Sequence, residues 1–328
     1  MIGCAGDEEQ SFTSENFDLI ELSEGVYSCI HKIGGKAICN AGFVDNGRET
    51  IVFDCFLSPA VAEEMVTAIE TLGLSPVRYV VNSHAHNDHI RGNQVFGPDV
   101  RIISTTRTAE LIAEWEPEEL AAEKEYAPVR LAHYDSLFHA FEGDTTSREY
   151  LDILMWKPYF EVLASSHREV VTRLPDMLID SSVSLDGPSR KVRLLTRGPG
   201  HTESDLVMYL PDDSVLFTAD LVFNECHPYM ADGSVEGLKE WLGYLNTLPV
   251  ETVVPGHGPL GTQSAIPTML SYVEELEAIA GNMLEAGQEP GESSMELIPT
   301  PFEDWWFERF FSSNLRFACR EMNETSTR

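Results

Sequence analysis

The sequence predicts an α/β fold, an αββα sandwich carrying a helical insertion. Three observations lead there. Two strand-rich stretches, over residues 17–56 and 177–255, are each accompanied by helical patterns, and layered sheets covered by helices are the stable way to bury such faces. A short apolar strand, Val77 to Val81, runs straight into a loop dense in histidine and aspartate. Between the two halves, from Thr106 to about Arg173, the pattern turns helical.

Taken in order, Phe17 to Leu22 alternates in part, and Gly25 to Ile30 follows as a second strand. Asp45-Asn46-Gly47 is a hairpin turn signal, with an apolar strand from Thr50 to Asp54 after it. Ser58-Pro59 opens a helix to about Leu72, with serine at the cap, proline at the first position and Val61, Met65, Ala68, Ile69 and Leu72 at helical spacing. Arg101 to Ser104 is another strand. The insertion, placed at about 106–175, carries Trp115, Tyr126, Tyr134, Phe138, Tyr150, Trp156, Tyr159 and Phe160. No linker-like tract flanks it, so 17–328 reads as one domain behind a flexible segment over 1–16. Strands return over 177–183, 191–196, 206–210, 215–218 and 252–255, with helices over 235–248 and 266–286. The aromatic-rich stretch over 299–311 is expected to pack on the body.

The 328 residues are enough for a sizeable core, and 43% of them are hydrophobic. With 54 acidic against 22 basic residues, the formal net charge is -32. That opposes nucleic acid and anionic membranes as partners, because both are bound through lysine and arginine. A small-molecule substrate is the expected partner, and a homo-oligomer is compatible. A salt-loving host and a simple acidic enzyme fit the charge equally. No stretch approaches the roughly 18 apolar residues of a membrane span. Met1-Ile2-Gly3-Cys4-Ala5-Gly6 is similar to the surroundings of a lipoprotein cleavage site but has no apolar leader before it. Cytoplasm and export as a lipoprotein therefore both stand. The six cysteines form no C-x-x-C pair. Cys29 and Cys39 flank a Gly-Gly turn, where a disulfide is one option and buried thiols are the default.

His84-Ala85-His86-Asn87-Asp88-His89 is the most informative segment. Four metal-capable side chains follow an apolar strand within six residues. Neutral imidazole and carboxylate suit Zn²⁺, and also Fe or Mn. His84 and His86, two apart in extended chain, point the same way. Asp88 and His89 come after the chain bends and can address a second ion.

This H-x-H-x-D-H segment resembles the signature of the metallo-β-lactamase superfamily. Three later segments match in order: Gly200-His201-Thr202, Phe217-Thr218-Ala219-Asp220, and Pro255-Gly256-His257-Gly258. The resemblance covers roughly residues 17–285 apart from the insertion. It implies one ion on His84, His86 and His201, a second on Asp88, His89 and His257, and Asp220 bridging them. It implies two zinc ions per chain and a hydrolase in which metal-activated hydroxide attacks an ester, thioester, lactone or β-lactam carbonyl. Asp88 and Asp220 are then the catalytic carboxylates, with Asp88 orienting the nucleophile and relaying its proton. Ser83 and Asn82 are candidates to orient ligand imidazoles. Asn87, expected to face the metals, and Asn224, His227 and Tyr229, which follow Asp220 closely, are candidate substrate contacts. Cys226 is near, but Asp220 fills the ligand role.

Departures from the pattern narrow the substrate. Acyl-homoserine lactonases of the family often carry tyrosine three residues after the bridging aspartate, where this chain has Phe223. The C-terminal third is acidic, unlike a basic glutathione-binding tail. A mononuclear iron persulfide dioxygenase using His84, His201 and Asp220 is the first alternative, and a metal-dependent nuclease the second. His86 stands where a diiron flavoprotein usually has glutamate. His133, His139 and His167 are expected at the surface or in packing.

Overall fold

The structure is a computed structural model and describes residues 12–326. Cys4 and the lipoprotein-like segment lie outside the described residues. Within the segment over 1–16, Phe12 and residues 14 and 16 are half-buried, while Thr13 and Glu15 are exposed. Phe12 stacks on Phe17 at 5.9 Å, and Ser14 Oγ donates to Glu64 at 2.6 Å.

The first sheet holds, in spatial order, β1 (Phe17–Ser23), β2 (Val26–His31), β3 (Ala41–Asp45), β4 (Thr50–Phe53), β5 (Val77–Val81), β6 (Arg101–Ser104) and β7 (Met177–Leu178). Its first four strands are antiparallel hairpins, and β4 through β7 run parallel. All three connections in the parallel half carry helices: α1 (Pro59–Thr71) leads to β5, and α2 (Asn87–Ile90) to β6. α3 (Thr106–Ala140) and α4 (Arg148–Glu169) precede β7.

The second sheet runs in the order β13, β12, β11, β10, β9, β8, from β8 (Val183–Ser184), β9 (Arg193–Thr196), β10 (Leu206–Leu210), β11 (Val215–Phe223), β12 (Thr252–His257) and β13 (Gly261–Thr262). α5 (Val235–Leu245) links β11 to β12, which are parallel. α6 (Ala265–Glu285) and α7 (Arg309–Ser326) complete the chain.

Three apolar layers follow from this order. Val26, Val44, Ile51, Phe53 and Ile103 of the first sheet meet Leu194, Met208, Leu210, Phe217 and Val254 of the second. Val61, Met65 and Ile69 of α1 cover the other face of the first sheet. Leu238, Trp241, Ile266, Met269 and Leu315 from α5, α6 and α7 cover the other face of the second. The αββα sandwich is therefore present as expected.

Three sequence expectations change. The strand expected over 177–183 is two short strands in different sheets, because the chain crosses the sandwich between them. The strand expected over 215–218 continues to Phe223, which puts Asp220 inside it. A C-terminal helix, α7, follows the aromatic stretch and was not anticipated. The insertion is two helices, and α3 keeps Pro117 and Pro128 within it. Cys29 and Cys39 are both free, buried thiols. No helix among the described residues is long and apolar enough to cross a membrane.

Candidate metal centre

The parallel pairing of β4 and β5 sets Phe53 beside Val81, so the residues that follow them meet at one end of the sheet. Asp54 sits there in the left-handed region, φ 57°, and is buried. Its carboxylate accepts the Ser83 backbone N–H at 2.8 Å, the Ser83 hydroxyl at 2.8 Å and His89 Nδ1–H at 2.8 Å. With its own proton directed at Asp54, Ser83 Oγ accepts from His84 Nδ1 at 2.8 Å. One buried carboxylate thus fixes two imidazoles and turns the Nε2 of each inward, the usual way a ligand histidine is oriented.

His86 is reversed. Its Nε2 faces Asp232 Oδ2 at 3.0 Å. Its Nδ1 faces inward, 3.1 Å from His84 Nε2 and 3.0 Å from His201 Nε2. Three ring nitrogens therefore converge at about the spacing of neighbouring ligands around one ion, roughly 3.3 Å for Zn–N bonds of about 2.0–2.1 Å.

Asp220 lies between this trio and a second group. Its Oδ2 is 3.2 Å from His201 Nε2, 3.8 Å from His84 Nε2 and 3.5 Å from His257 Nε2. Its Oδ1 is 3.1 Å from His89 Nε2. Asp88 Oδ2 closes the second group, 3.4 Å from His257 Nε2 and 3.6 Å from His89 Nε2. Gly256 lies against this carboxylate, and a Cβ there would fall 1.9 Å from Asp220 Oδ1. Only glycine lets β12 approach so closely.

The electrostatics suit cations. Burial keeps His84 well below the usual histidine range and takes His201 down to about 3, so both rings are neutral with a lone pair to give. Burial also opposes charge on His257, yet Asp220 and Asp88 overcome it and raise that ring to about 9. A proton there balances carboxylates that a metal ion would otherwise balance. His89 Nε2 and Asp220 Oδ1 are buried without a hydrogen-bond partner, which is costly unless something else engages them. One group of four nitrogen and oxygen donors, His84, His86, His201 and Asp220, and an overlapping group of His89, Asp220 and His257 with Asp88 3.4 Å from His257 Nε2, have the chemistry of a divalent metal site.

A family model described as the metallo-β-lactamase superfamily matches residues 34–257. The chain belongs to the metallo-β-lactamase superfamily. Among solved structures, a metallo-β-lactamase from Pontibacter korlensis is similar at a TM-score of 0.56 and 19% identity, over 79% of this chain and 99% of that one. At that identity the likeness speaks for the fold.

This metallo-β-lactamase-fold chain brings together all seven residues expected as ligands. The expected substrate contacts fare differently. Tyr229 lies beside the ligands, its ring 5.9 Å from that of His86 and 38% exposed. Asn87 does not face the ligand cluster as expected. Its amide donates to Glu119 at 3.0 Å and Glu123 at 3.2 Å on α3. Asn224 Nδ2 points to the carbonyls of Pro259 and Leu260, at 3.0 and 3.4 Å. His227 is corrected: it is fully buried among Tyr272, Trp305 and Phe311, with Nδ1 3.1 Å from Tyr272 Oη. Ser83 orients His84 as expected, whereas Asn82 pairs with Asn93 instead. Phe223, at the lactonase tyrosine position, stacks on His257 at 4.9 Å. Cys226, His133, His139 and His167 join no metal-capable group among the described residues.

Several residues of the centre were missed. Asp54 and Asp232 orient ligands. Trp115 of the insertion stacks on His86, 6.1 Å between rings and 25° between planes. Arg91, two residues beyond His89, is buried against Glu116 and Glu123 of α3 and ties the ligand turn to the insertion. Asp54 had a sequence signal, a carboxylate ending an apolar strand, and Trp115 stood among the aromatics of the insertion.

Proposed function

We propose that this chain is a dinuclear, zinc-dependent hydrolase of an ester, thioester, lactone or β-lactam carbonyl. The observation that carries the reading is Asp220, one carboxylate within reach of ligand nitrogens of both groups: Oδ2 faces His84, His201 and His257, and Oδ1 faces His89. Bound ions supply Lewis acidity, activating water near neutral pH and polarising a carbonyl. The protein's part is positional. His84, His86 and His201 would hold one ion, Asp88, His89 and His257 the other, with Asp220 within reach of both groups. His89 and His257 keep the Asp88 carboxyl below its ordinary range against the effect of burial, so it stays a carboxylate. With 14% of its side chain exposed, Asp88 is the group placed to orient a water and take up its proton. Trp115 and Tyr229 flank His86 and give a substrate apolar walls.

The first test is metal content by elemental mass spectrometry after growth with zinc and iron both available. About two zinc per chain is expected. One iron with little zinc supports the persulfide dioxygenase instead. The second test is turnover of a chromogenic ester, lactone and cephalosporin panel by zinc-loaded protein and by Asp220→Ala. Chelator-sensitive turnover, cut by at least about a hundredfold in the variant, is expected. Full activity in Asp220→Ala refutes the bridging role.

A further inference from the structure

The connection between β2 and β3 places a side chain at the centre that the seven-ligand set does not use. Cys39 is buried, and its Sγ lies 2.8 Å from the Asp88 backbone carbonyl oxygen. Its sulfur, an Asp88 carboxylate oxygen and a His89 ring nitrogen all lie within 4.8 Å of one another. His89 is fully buried, and its Nε2 has no hydrogen-bond partner. The next residue pins the connection to the far side of the same centre. Asn40 Nδ2 donates to the Pro255 and Gly258 carbonyls at 2.9 and 2.8 Å, on either side of His257. Asn40 N–H donates to Gly256 O at 2.7 Å, and Asn40 Oδ1 accepts from His31 N–H at 2.9 Å. Cys39 is therefore held in place by backbone contacts to the His257 strand.

We propose that Cys39 is a further ligand of the second metal ion, giving it a sulfur donor beside Asp88 and His89. The inference rests on the two-ion reading. On binding, the S–H bond breaks, a sulfur–metal bond forms and the proton leaves to solvent, with no change of oxidation state. The consequence is selectivity. A thiolate favours zinc, cadmium and cobalt over manganese and magnesium, which prefer oxygen. The two ions then sit in unlike environments, one of imidazole and carboxylate, the other with sulfur added. The neighbouring buried thiol of Cys55 joins no metal-capable group among the described residues; its Sγ faces Asn93 Oδ1 at 3.2 Å and His89 O at 3.4 Å.

The test uses the full chain with two equivalents of cadmium-113 or cobalt(II). Wild-type protein should give two cadmium resonances, one of them shifted far downfield as sulfur ligation requires. Cobalt protein should show a near-ultraviolet sulfur-to-metal charge-transfer band, absent from Cys39→Ser. The variant should keep one tight ion and bind the second at least about tenfold more weakly. Two cadmium resonances both at nitrogen-and-oxygen positions overturn the sulfur ligand and leave the dinuclear reading standing. A charge-transfer band that survives in Cys39→Ser also overturns it. A single resonance without the shift overturns both readings. The wild-type spectra decide the matter even if Cys39→Ser does not fold.

Discussion

Replacing Arg91 with methionine should destabilise the protein by about 3–5 kcal/mol, the loss seen when one partner of a buried ion pair is removed. Arg91 is 2% exposed, and Glu116 and Glu123 are each 1% exposed. Its Nε donates to Glu116 at 3.0 Å, and its two Nη atoms donate to the two oxygens of Glu123 at 2.9 and 2.8 Å. Glu119 stands 3.6 Å from the same guanidinium. Methionine fills much of the stem's space, so the cavity cost is small. What remains is two buried carboxylates without their cation. Burial already raises the Glu116 pKa, so that carboxyl takes up a proton and brings the expected loss toward the lower end. The assay is urea unfolding of zinc-loaded protein with a matched slope. A loss below about 1 kcal/mol refutes the reasoning, since that is the range of an exposed pair. Adding Glu116→Gln and Glu123→Gln should recover most of the loss, because the triple variant buries no unpaired charge. The pair joins the turn bearing Asp88 and His89 to α3, so Arg91→Met should also lose zinc sooner during dialysis against a chelator.

Asp54→Asn should weaken zinc binding about 10–100-fold, as loss of a ligand-orienting carboxylate does; competition with a chromophoric chelator measures this, and unchanged affinity removes Asp54 from the centre. In metal-free protein the His257 pKa is raised to about 9, so its protonated ring stabilises the fold fully below its unfolded value of about 6.5 and that contribution is lost as pH rises through 9. Melting temperature of the metal-free chain should accordingly fall between pH 6 and pH 10, while zinc affinity rises toward pH 9 because the ion must displace that proton; a flat profile in both contradicts the assignment. Gly256→Ala should cost most of the bound metal, because its Cβ would meet Asp220 Oδ1 at 1.9 Å. Gly243→Ala on α5, with nothing within 4 Å, should instead stabilise by about 0.5–1 kcal/mol in thermal unfolding.

The seven candidate ligands were legible because each lies in a short string whose chemistry is local. His84, His86, Asp88 and His89 share one turn, and the glycines beside His201 and His257 mark backbone that must come close. Residues that act across the fold left little trace. Asp54 and Ser83 are 29 positions apart and meet only through the parallel register of β4 and β5. Arg91 reads as a polar residue after a motif until α3 supplies its glutamates. Closeness in sequence also misled. His227 follows Asp220 by seven residues, but the chain turns at Glu225, φ 57°, and sends the ring into the core against Tyr272 and Trp305. Tyr229, two residues further, comes back to His86. One missed element did carry a signal: Phe311, Leu315, Ala318 and Cys319 are buried at helical spacing on α7. The aromatic run before them drew the reading toward packing and away from periodicity. The proposed substrate walls belong to the same long-range class, since Trp115 from α3 and Tyr229 from the segment after β11 reach His86 from distant parts of the sequence. A metal set can be encoded in strings of six residues, whereas walls built from an insertion and a later loop exist only once the sandwich has brought them together.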